Sequence, residues 1–242
     1  MDVTAACYVR HVGEDGRTVI VTGGTGSLGR HLVQRFLAHG DVVVVPWIVK
    51  SEREECARLW GEAVRAGQVT LVEADVATPE GAQRIHLSAP EVDVLINAAG
   101  SFAGGAPVYE TSIDHWDDMF RANVRTAVHM SQAVLPGMLR RSQGVILCIS
   151  SRAATTCPAH IAAYSAAKAA LNVFVETLQK ELASTDLRIN AVAPASLDTP
   201  DHRLALHRTD PDLWTTPDQI ADTLLYLASP TATAIRGAII PV

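Results

Sequence analysis

Lysine, cysteine and aromatic residues are scarce in this chain of 242 residues, and it has no long apolar run. The longest apolar stretch, Val42 to Val49, is far too short to cross a bilayer, so no contact with a membrane is expected. The four cysteines lack the spacing of metal ligands, which argues for free thiols and against a metal site (Cys7, Cys56, Cys148 and Cys157). The net charge of −6 is not gathered into blocks, which argues against nucleic acid as a partner.

The rest of the composition is that of a globular protein. The chain is 48% hydrophobic and 19% charged, which excludes a disordered chain and suffices for the core of one large α/β domain. The first ten residues, MDVTAACYVR, carry an acid at position 2 and no apolar core of signal-peptide length. Together with the free thiols, this start predicts a cytoplasmic protein.

Apolar, β-branched runs alternate with helical patterns along most of the chain. The alternation predicts a parallel sheet with helices on both faces, and its expected form is the doubly wound α/β (Rossmann) fold in a single domain. Residues 17–242 make up that domain, and residues 1–16, which show no clear period, are expected to be an N-terminal extension. Strands are predicted at 17–21, 42–49, 68–72, 92–96, 145–149, 188–192 and 238–240, and the main helices at 27–39, 52–65, 113–139, 160–182 and 217–228.

A glycine-rich segment, TGGTGSLG at residues 22–29, follows the first predicted strand and leads into a helix. Glycines allow a tight turn and a close approach of the backbone to a pyrophosphate. The helix N-terminus then supplies free N–H groups and positive potential. A strand, a glycine turn and a helix in this order predict a dinucleotide-binding site.

Other small or polar residues also follow the carboxyl ends of predicted strands. Asp75, Asn97, Ser151 and Pro194 follow the third to sixth strands, as Gly23 follows the first. Ligands of open α/β sheets bind outside these ends, so five loops are expected to meet at one rim and form the site. The alternative is that such residues only punctuate loops, which explains each of them singly.

The stretch from 144 to 168 has the residues for proton transfer. Tyr164 and Lys168 are four apart and share one face of a helix, and Ser151 lies at the end of the preceding strand. Tyr-x-x-x-Lys with a serine thirteen residues before the tyrosine resembles the signature of the short-chain dehydrogenase/reductase family. The resemblance covers about residues 17–240. The alternative for the motif alone is an amphipathic helix with a surface lysine.

The resemblance implies the strand order 3-2-1-4-5-6-7 and four catalytic roles. Tyr164 would be the general acid/base, Lys168 would lower its pKa and hold the cofactor ribose, and Ser151 would bind the substrate oxygen. Asn123 would help to hold the lysine through a water. These roles are physically sound, because a nearby cation favours phenolate and a hydroxyl stabilises an oxygen on which charge develops.

The resemblance also implies a cofactor site along the strand ends. Asp75 matches an aspartate that contacts the adenine amino group, and residues 97–100 match an Asn-Ala-Ala-Gly segment beside the cofactor. Pro194 and Thr199 match Pro-Gly-x-x-x-Thr, whose threonine contacts the nicotinamide carboxamide. The implied set is Gly23, Thr25, Gly26, Ser27, Leu28, Gly29, Asp75, Val76, Asn97, Ala98, Ala99, Gly100, Tyr164, Lys168, Pro194 and Thr199.

Two glycines of the family pattern are replaced. Ser27 occupies the middle glycine of Thr-Gly-x-x-x-Gly-x-Gly, which leaves the glycine spacing of the family's extended branch. That branch carries ~100 more residues for a substrate domain, for which this chain has no room, so the short single-domain branch is retained. Ala195 replaces the glycine after Pro194, so the nicotinamide end of the site is expected to be shaped differently.

The region after the second strand bears on the choice of cofactor. NAD-preferring relatives place an acid at the end of that strand, where it bonds the ribose hydroxyls and repels a 2′-phosphate. Residues 45–50, VPWIVK, contain no acid. Lys50 and Arg53 could meet a phosphate instead, or they could be surface charges at the start of a helix. The pattern favours NADP.

These features predict an NAD(P)-dependent oxidoreductase that interconverts a ketone and a secondary alcohol by hydride transfer. Its partner would be a small-molecule carbonyl or alcohol, under a lid formed by residues 195–216. The alternative is a non-catalytic dinucleotide-binding sensor or scaffold of the same fold. The presence of Asn123, Ser151, Tyr164 and Lys168 favours the enzyme, and the altered glycine turn favours the sensor.

The resemblance further implies an assembly. Family members usually pair through the two long helices beside the active site, here around 113–135 and 160–182. The second is rich in alanine, which would allow close approach of a partner. A homodimer or homotetramer is therefore expected, the alternative being close packing within one subunit.

Overall fold

A seven-stranded parallel sheet forms the centre of the computed structural model, which describes residues 16–198 and 214–242. The strands are β1 (Thr18–Thr22), β2 (Val42–Trp47), β3 (Val69–Glu73), β4 (Val94–Asn97), β5 (Val145–Ile149), β6 (Arg188–Ala193) and β7 (Ile239–Pro241). Their order across the sheet is β3-β2-β1-β4-β5-β6-β7, and each neighbouring pair is parallel. The predicted doubly wound α/β fold is confirmed.

Helices connect the strands and cover the sheet. They are α1 (Ser27–Ala38), α2 (Lys50–Leu59), α3 (Gly61–Arg65), α4 (Pro79–Ser88), α5 (Ile113–Phe120), α6 (Thr126–Arg141), α7 (Ala153–Thr156), α8 (Ala162–Glu181) and α9 (Pro217–Leu227). A π-helical turn, Arg121–Arg125, joins α5 to α6. Short 3-10 turns lie at Val108–Glu110 and Pro230–Ala232.

The side chains of each strand alternate between two apolar cores, one on each face of the sheet. In β1, Ile20 belongs to one core, and Val19 and Val21 belong to the other. Helices α4, α6 and α8 cover the first core, to which Met130 contributes. Helices α1, α2 and α9 cover the second, to which Phe36 contributes. Burial on both faces explains why the strands are nearly continuous apolar runs.

The helix predicted over 52–65 is interrupted at Trp60. This residue leaves helical geometry, with φ −106° and ψ 21°, and α3 starts directly after it. Its ring is only 4% exposed and belongs to the core beneath α1 and α2. The break lets the largest side chain of the segment reach that core.

Pro136 lies inside α6, where the sequence predicts a bend or an end of the helix. The helix continues past the proline to Arg141, so the proline does not end it. Val134 and Met138, on either side of the proline, are both fully buried against the sheet. Tertiary packing therefore holds the helix across the lost hydrogen bond.

Two segments of interest lie outside the described residues. They are the predicted N-terminal extension, except for Gly16, and most of the predicted lid, residues 199–213. Within 16–198 and 214–242, no helix has both the length and the apolar character needed to cross a membrane. The same ranges contain no group of three or more His, Cys, Asp or Glu side chains placed to hold a metal ion.

Candidate active site

The turn between β1 and α1 depends on two glycines. Gly23 has φ +65°, and a Cβ there would lie 2.8 Å from the carbonyl oxygen of Ala98 and from backbone atoms of Ala99. A Cβ on Gly29 would lie 2.0 Å from the carbonyl oxygen of Gly23. The Thr22 hydroxyl accepts hydrogen bonds from the N–H groups of Ala98 and Ala99 at 3.1 and 3.0 Å. The glycine turn is thus packed directly against the end of β4.

Ser27, at the position of the family glycine, lies at the start of α1. It is the exposed first residue of α1, and Gly26, the N-cap residue, donates from its backbone N–H to the carbonyl oxygen of Gly23 at 3.0 Å. The first turn of α1 contains no acidic residue. The positive end of the helix dipole is therefore not neutralised from within the helix, which suits an anionic group.

Asp75 lies at the end of β3, where its carboxylate is held by two donors. Oδ1 accepts from the N–H of Ala77 at 2.9 Å, and Oδ2 forms an ion pair with the Arg121 guanidinium. The next residue, Val76, is buried. The side chain of Asp75 stays 35% exposed, so part of the carboxylate can still meet a ligand.

Ser151, Tyr164 and Lys168 meet beyond the end of β5. Ser151 Oγ accepts from the N–H of Ala153 at 3.2 Å, and its interaction with the Tyr164 phenol opposes the rise that burial causes in the pKa of that phenol. Lys168 Nζ lies 5.8 Å from the centre of the Tyr164 ring and donates to the carbonyl oxygen of Ile149 at 2.8 Å. The ring of Phe102 packs edge-on against Tyr164, with centroids 5.0 Å apart. The sequence motif therefore forms one connected cluster.

Burial dominates the electrostatics of this cluster. It raises the pKa of Tyr164 above its ordinary value, and the interaction with Ser151 acts in the opposite direction. It lowers the pKa of Lys168 from 10.5 to about 8, because the charged ammonium loses its hydration. The influence of Lys168 on the pKa of the phenol, which the resemblance implied, is not among the causes acting on Tyr164 here.

Asn123 lies in the π-helical turn and is 2% exposed. Its Nδ2 donates to the carbonyl oxygens of Ser101 and Met119, both at 3.0 Å, while Oδ1 is buried without a partner. A Cβ on Gly100 would lie 2.7 Å from that Oδ1 and 3.6 Å from Lys168 Nζ. The free acceptor and the buried ammonium thus border the same small space. Single π turns inside α-helices often occur at functional sites.

A cleft of about 720 Å³ joins these features. Among the predicted residues that the structure describes, Asn97 alone is not part of the lining, because it is buried in the sheet. Thr199 lies outside the described residues. The predicted residues that line it are Gly23, Thr25, Gly26, Ser27, Leu28, Gly29, Asp75, Val76, Ala98, Ala99, Gly100, Asn123, Ser151, Tyr164, Lys168 and Pro194. The carboxyl ends of the central strands meet at one rim, as the topology requires.

Asn97 lies beneath the cleft. Its Nδ2 donates to the sulfur of Cys148 on the neighbouring strand at 3.8 Å, and its Oδ1 is buried without a partner. Burial raises the pKa of Cys148 to about 12, so this thiol stays neutral beside Lys168. The contact places Asn97 in the sheet beside the site.

A family model described as short chain dehydrogenase matches residues 17–207. The matched range includes the glycine turn between β1 and α1 and the cluster of Ser151, Tyr164 and Lys168. The chain belongs to the short chain dehydrogenase family. The resemblance seen in the sequence is thus confirmed.

Known relatives of this short chain dehydrogenase extend along most of its length. It is 32% identical over 239 residues to a 2-(R)-hydroxypropyl-CoM dehydrogenase of Xanthobacter autotrophicus, covering 92% of this chain and 95% of the relative. It is 30% identical over 180 residues to an NADP-dependent 3-hydroxy acid dehydrogenase of Salmonella typhi, covering 73% and 71%. A solved structure of a short chain dehydrogenase/reductase family protein matches with a TM-score of 0.85 and 29% identity, covering 94% and 96%.

The structure adds Glu52 to the cleft of this short chain dehydrogenase, a residue that the sequence reasoning missed. Glu52 lies in the first turn of α2, and its Oε2 accepts from the Thr25 hydroxyl at 2.7 Å. Lys50 and Arg53, the residues on which the predicted preference for NADP rests, are exposed and do not line the cleft. An acid roughly 20 residues after the glycine turn is the signal that could have identified Glu52.

Phe102 and Arg121 are two further residues of the cleft that the sequence reasoning did not single out. Phe102 follows Gly100 by two residues and contacts Tyr164, and Arg121 precedes Asn123 by two and pairs with Asp75. Neither has a sequence signal beyond its closeness to a motif residue, because both contacts join segments far apart in the chain.

Proposed function

We propose that this short chain dehydrogenase interconverts a ketone and a secondary alcohol, with Tyr164 as the general acid/base. The observation that carries the proposal is that Ser151, Tyr164 and the buried Lys168 line the same cleft as the glycine turn. A serine hydroxyl and a tyrosine hydroxyl in one cleft can hold an oxygen atom and exchange a proton with it.

The residues of the cleft fit a nicotinamide dinucleotide. Gly23 and Gly29 leave the close approach that a Cβ would fill, and α1 presents its positive end beside them. At the outer end, the half-exposed Asp75 offers an acceptor; at the inner end, Lys168 offers a donor. When bound, the dinucleotide supplies or accepts the hydride.

Ser151 and Tyr164 are assigned complementary parts. The Ser151 hydroxyl holds the substrate oxygen and stabilises negative charge on it. The Tyr164 phenol gives its proton to that oxygen during reduction, and the Tyr164 phenolate takes the proton of the alcohol during oxidation. Burial favours the protonated phenol, so the proton donor for reduction is present. For oxidation, the group of Lys168 that would act on the phenolate is Nζ, which lies 5.8 Å from the centre of the Tyr164 ring.

Phe102 has a supporting part. Its ring packs on Tyr164, and it remains 48% exposed in the cleft. An aromatic wall beside the phenol excludes water from one side and offers an apolar surface to the substrate. By their names, the relatives act on a hydroxypropyl compound and on a 3-hydroxy acid, and the alcohol class proposed here includes both.

The test is a turnover screen of secondary alcohols and ketones with both dinucleotides, followed by the absorbance of the reduced nicotinamide. Ser151→Ala should lose turnover and keep dinucleotide affinity, and Ser88→Ala, an exposed serine on α4, should keep both. Dinucleotide binding without any turnover across the screen would favour the sensor or scaffold. That alternative rested on Ser27, which is the exposed first residue of α1.

The cofactor class of the proposal is NAD(P). The finer preference for NADP stays a prediction. It agrees with the name of the NADP-dependent relative. The exposed positions of Lys50 and Arg53, however, give it no support from contacts in the cleft.

The proposed assembly is a homodimer or homotetramer. Val173 on α8 is 61% exposed, and a shallow apolar groove surrounds it. Light scattering should give a mass of two or four chains, and Val173→Glu should lower it. Leu87→Glu, at a residue 65% exposed on α4, is the matched control. A wild-type monomer at micromolar concentration would contradict the assembly.

A cytoplasmic location of the protein also stays a prediction.

A further inference from the structure

Glu52 is directed towards the glycine turn by the way α2 is held. Its Oε2 accepts the hydrogen bond of Thr25 at 2.7 Å, and Thr25 itself is 5% exposed. One turn further along α2, the fully buried Cys56 lies with its sulfur 3.9 Å from the carbonyl oxygen of Thr25. Two contacts between α2 and one residue of the turn fix the direction of the helix, and with it the carboxylate.

Of the basic residues near this carboxylate, Arg30 interacts with it through charge but forms its hydrogen bonds elsewhere, and Lys50 and Arg53 are exposed. Arg30 Nε donates to the carbonyl oxygen of Thr25 at 2.7 Å, and its two terminal nitrogens donate to Glu55 at 2.6 and 2.9 Å. Lys50 and Arg53 are exposed and lie outside the lining of the cleft. Glu52 therefore presents a negative charge to the cleft beside the turn.

The other carboxylate in the described lining of the cleft differs in this respect. Asp75 forms an ion pair with Arg121, which also lines the cleft, so the charges at that point cancel. Glu52 instead meets the neutral hydroxyl of Thr25. Glu52 on α2 thus places a carboxylate without an ion-pair partner of this kind in the cleft beside the glycine turn.

The position of Glu52 after the second strand indicates which part of a dinucleotide it would contact. In dinucleotide-binding sheets, the loop after the second strand lies beside the glycine turn and holds the ribose of the adenosine half. Here Trp47 ends β2, and the acid comes from the first turn of α2, five residues later. A search for an acid at the strand end therefore overlooks it.

We propose that Glu52, held by Thr25, selects against a phosphate on the adenosine ribose, so that the protein binds NAD(H) more tightly than NADP(H). The inference rests on the proposed function, since it assumes that the cleft binds a nicotinamide dinucleotide. A ribose hydroxyl can donate to the carboxylate, whereas a phosphate at the same place meets a like charge in a partly buried site. This proposal is opposite to the preference for NADP that Lys50 and Arg53 suggested in the sequence.

The test is a binding titration that needs no turnover. NADH and NADPH are titrated separately into wild type, Glu52→Gln, Glu52→Lys and Glu54→Gln, with affinity read from the fluorescence of the reduced nicotinamide and folding checked by thermal melting. Glu54 is exposed on the same helix, so Glu54→Gln removes the same charge without touching the turn.

The wild type should bind NADH at least about tenfold more tightly than NADPH, because like-charge contacts disfavour the wrong ligand. Glu52→Gln should narrow that ratio by about tenfold, mainly through tighter NADPH binding, and Glu52→Lys should invert it. Glu54→Gln should leave the ratio unchanged.

The outcomes separate the inference from the proposed function. If both dinucleotides bind and the wild type prefers NADPH, or if the ratio is the same in wild type and Glu52→Gln, the role of Glu52 is overturned and the proposed function stands. If neither dinucleotide binds to the folded wild type, the proposed function fails and the inference fails with it.

Discussion

Lys168 donates a hydrogen bond from Nζ to the carbonyl oxygen of Ile149 at 2.8 Å. Ile149 is the last residue of β5, and Ser151 follows two residues later. The helix that carries Tyr164 and Lys168 is therefore fastened to the strand end that carries the serine. The side chains assigned to proton transfer are held by the same contact between α8 and β5. A single substitution that keeps Lys168 is expected to leave this contact between the two elements in place.

Replacing Tyr164 by phenylalanine removes one oxygen and keeps the ring that packs on Phe102. We expect turnover to fall by at least ~10²-fold, because general acid catalysis contributes on that scale, while dinucleotide affinity changes little. Tyr226→Phe, the same chemical change at a residue 51% exposed on α9, should leave both quantities unchanged. A folded Tyr164→Phe protein with near wild-type turnover would end the proposed mechanism.

Lys168→Met should lower turnover and dinucleotide affinity together, since it removes the cation beside Tyr164 and the donor at the inner end of the cleft. We expect turnover to fall ~10²-fold or more and affinity to fall by about tenfold. Lys180→Met, at an exposed position of the same helix, is the matched control. A purely structural role would instead lower the melting temperature and leave turnover per folded molecule intact.

The lowered pKa of Lys168 predicts a pH dependence of stability. Between pH 8 and pH 10.5 the unfolded chain carries a proton on this amine that the folded chain has lost, so the free energy of unfolding should rise with pH in this window. Measured from about pH 8 to about pH 9.5, the gain relative to Lys168→Met should be on the order of 2 kcal/mol.

Denaturant titrations of both proteins at each pH measure this gain. The comparison with Lys168→Met cancels groups that both proteins share, including Tyr164, whose raised pKa lowers stability as the pH rises above its unfolded value near 10. A difference between the two proteins that stays flat with pH would show that the folded lysine titrates like an exposed one.

Gly100→Ala should disturb the catalytic cluster without touching a catalytic side chain. The added Cβ would lie 2.7 Å from Asn123 Oδ1, so Asn123 or the Gly100 backbone must shift. We expect turnover to fall by about tenfold or more, because small misplacements in a site are costly. At Gly61, an added Cβ would lie 3.5 Å from its nearest neighbour, an ordinary contact, so Gly61→Ala should keep full turnover. Full turnover in Gly100→Ala would show that Asn123 needs no fixed position.

The sheet could be predicted from the sequence because its signal is local. A buried parallel strand needs a continuous apolar run, and all seven runs became strands with ends shifted by at most two residues. The rim followed from topology, since parallel strands bring their carboxyl ends to one edge. The break at Trp60 was missed, because it depends on a side chain that distant segments bury.

The site could be predicted as far as motifs extend. The residues of the glycine turn and the Ser151, Tyr164 and Lys168 cluster line one cleft, whereas Thr199 falls outside the described residues. The carboxylate of Glu52 was missed because nothing in its neighbourhood shows that it reaches Thr25. Such contacts are set by how helices pack, and helical periodicity describes only which face is apolar.

The π-helical turn over Arg121–Arg125 also constrains the number of residues between Asn123 and the buried face of α6. Each residue of a helix turns the chain by about 100°, so losing one residue here would rotate α6 by about that angle against α5. The buried face of α6, with Met130, Val134 and Met138, would then turn away from the sheet. A surface loop tolerates insertions and deletions, whereas the π-helical turn does not, because each would turn the buried face of α6 away from the sheet. Among homologues of this chain, the number of residues between Asn123 and Met130 should vary less than the residues themselves.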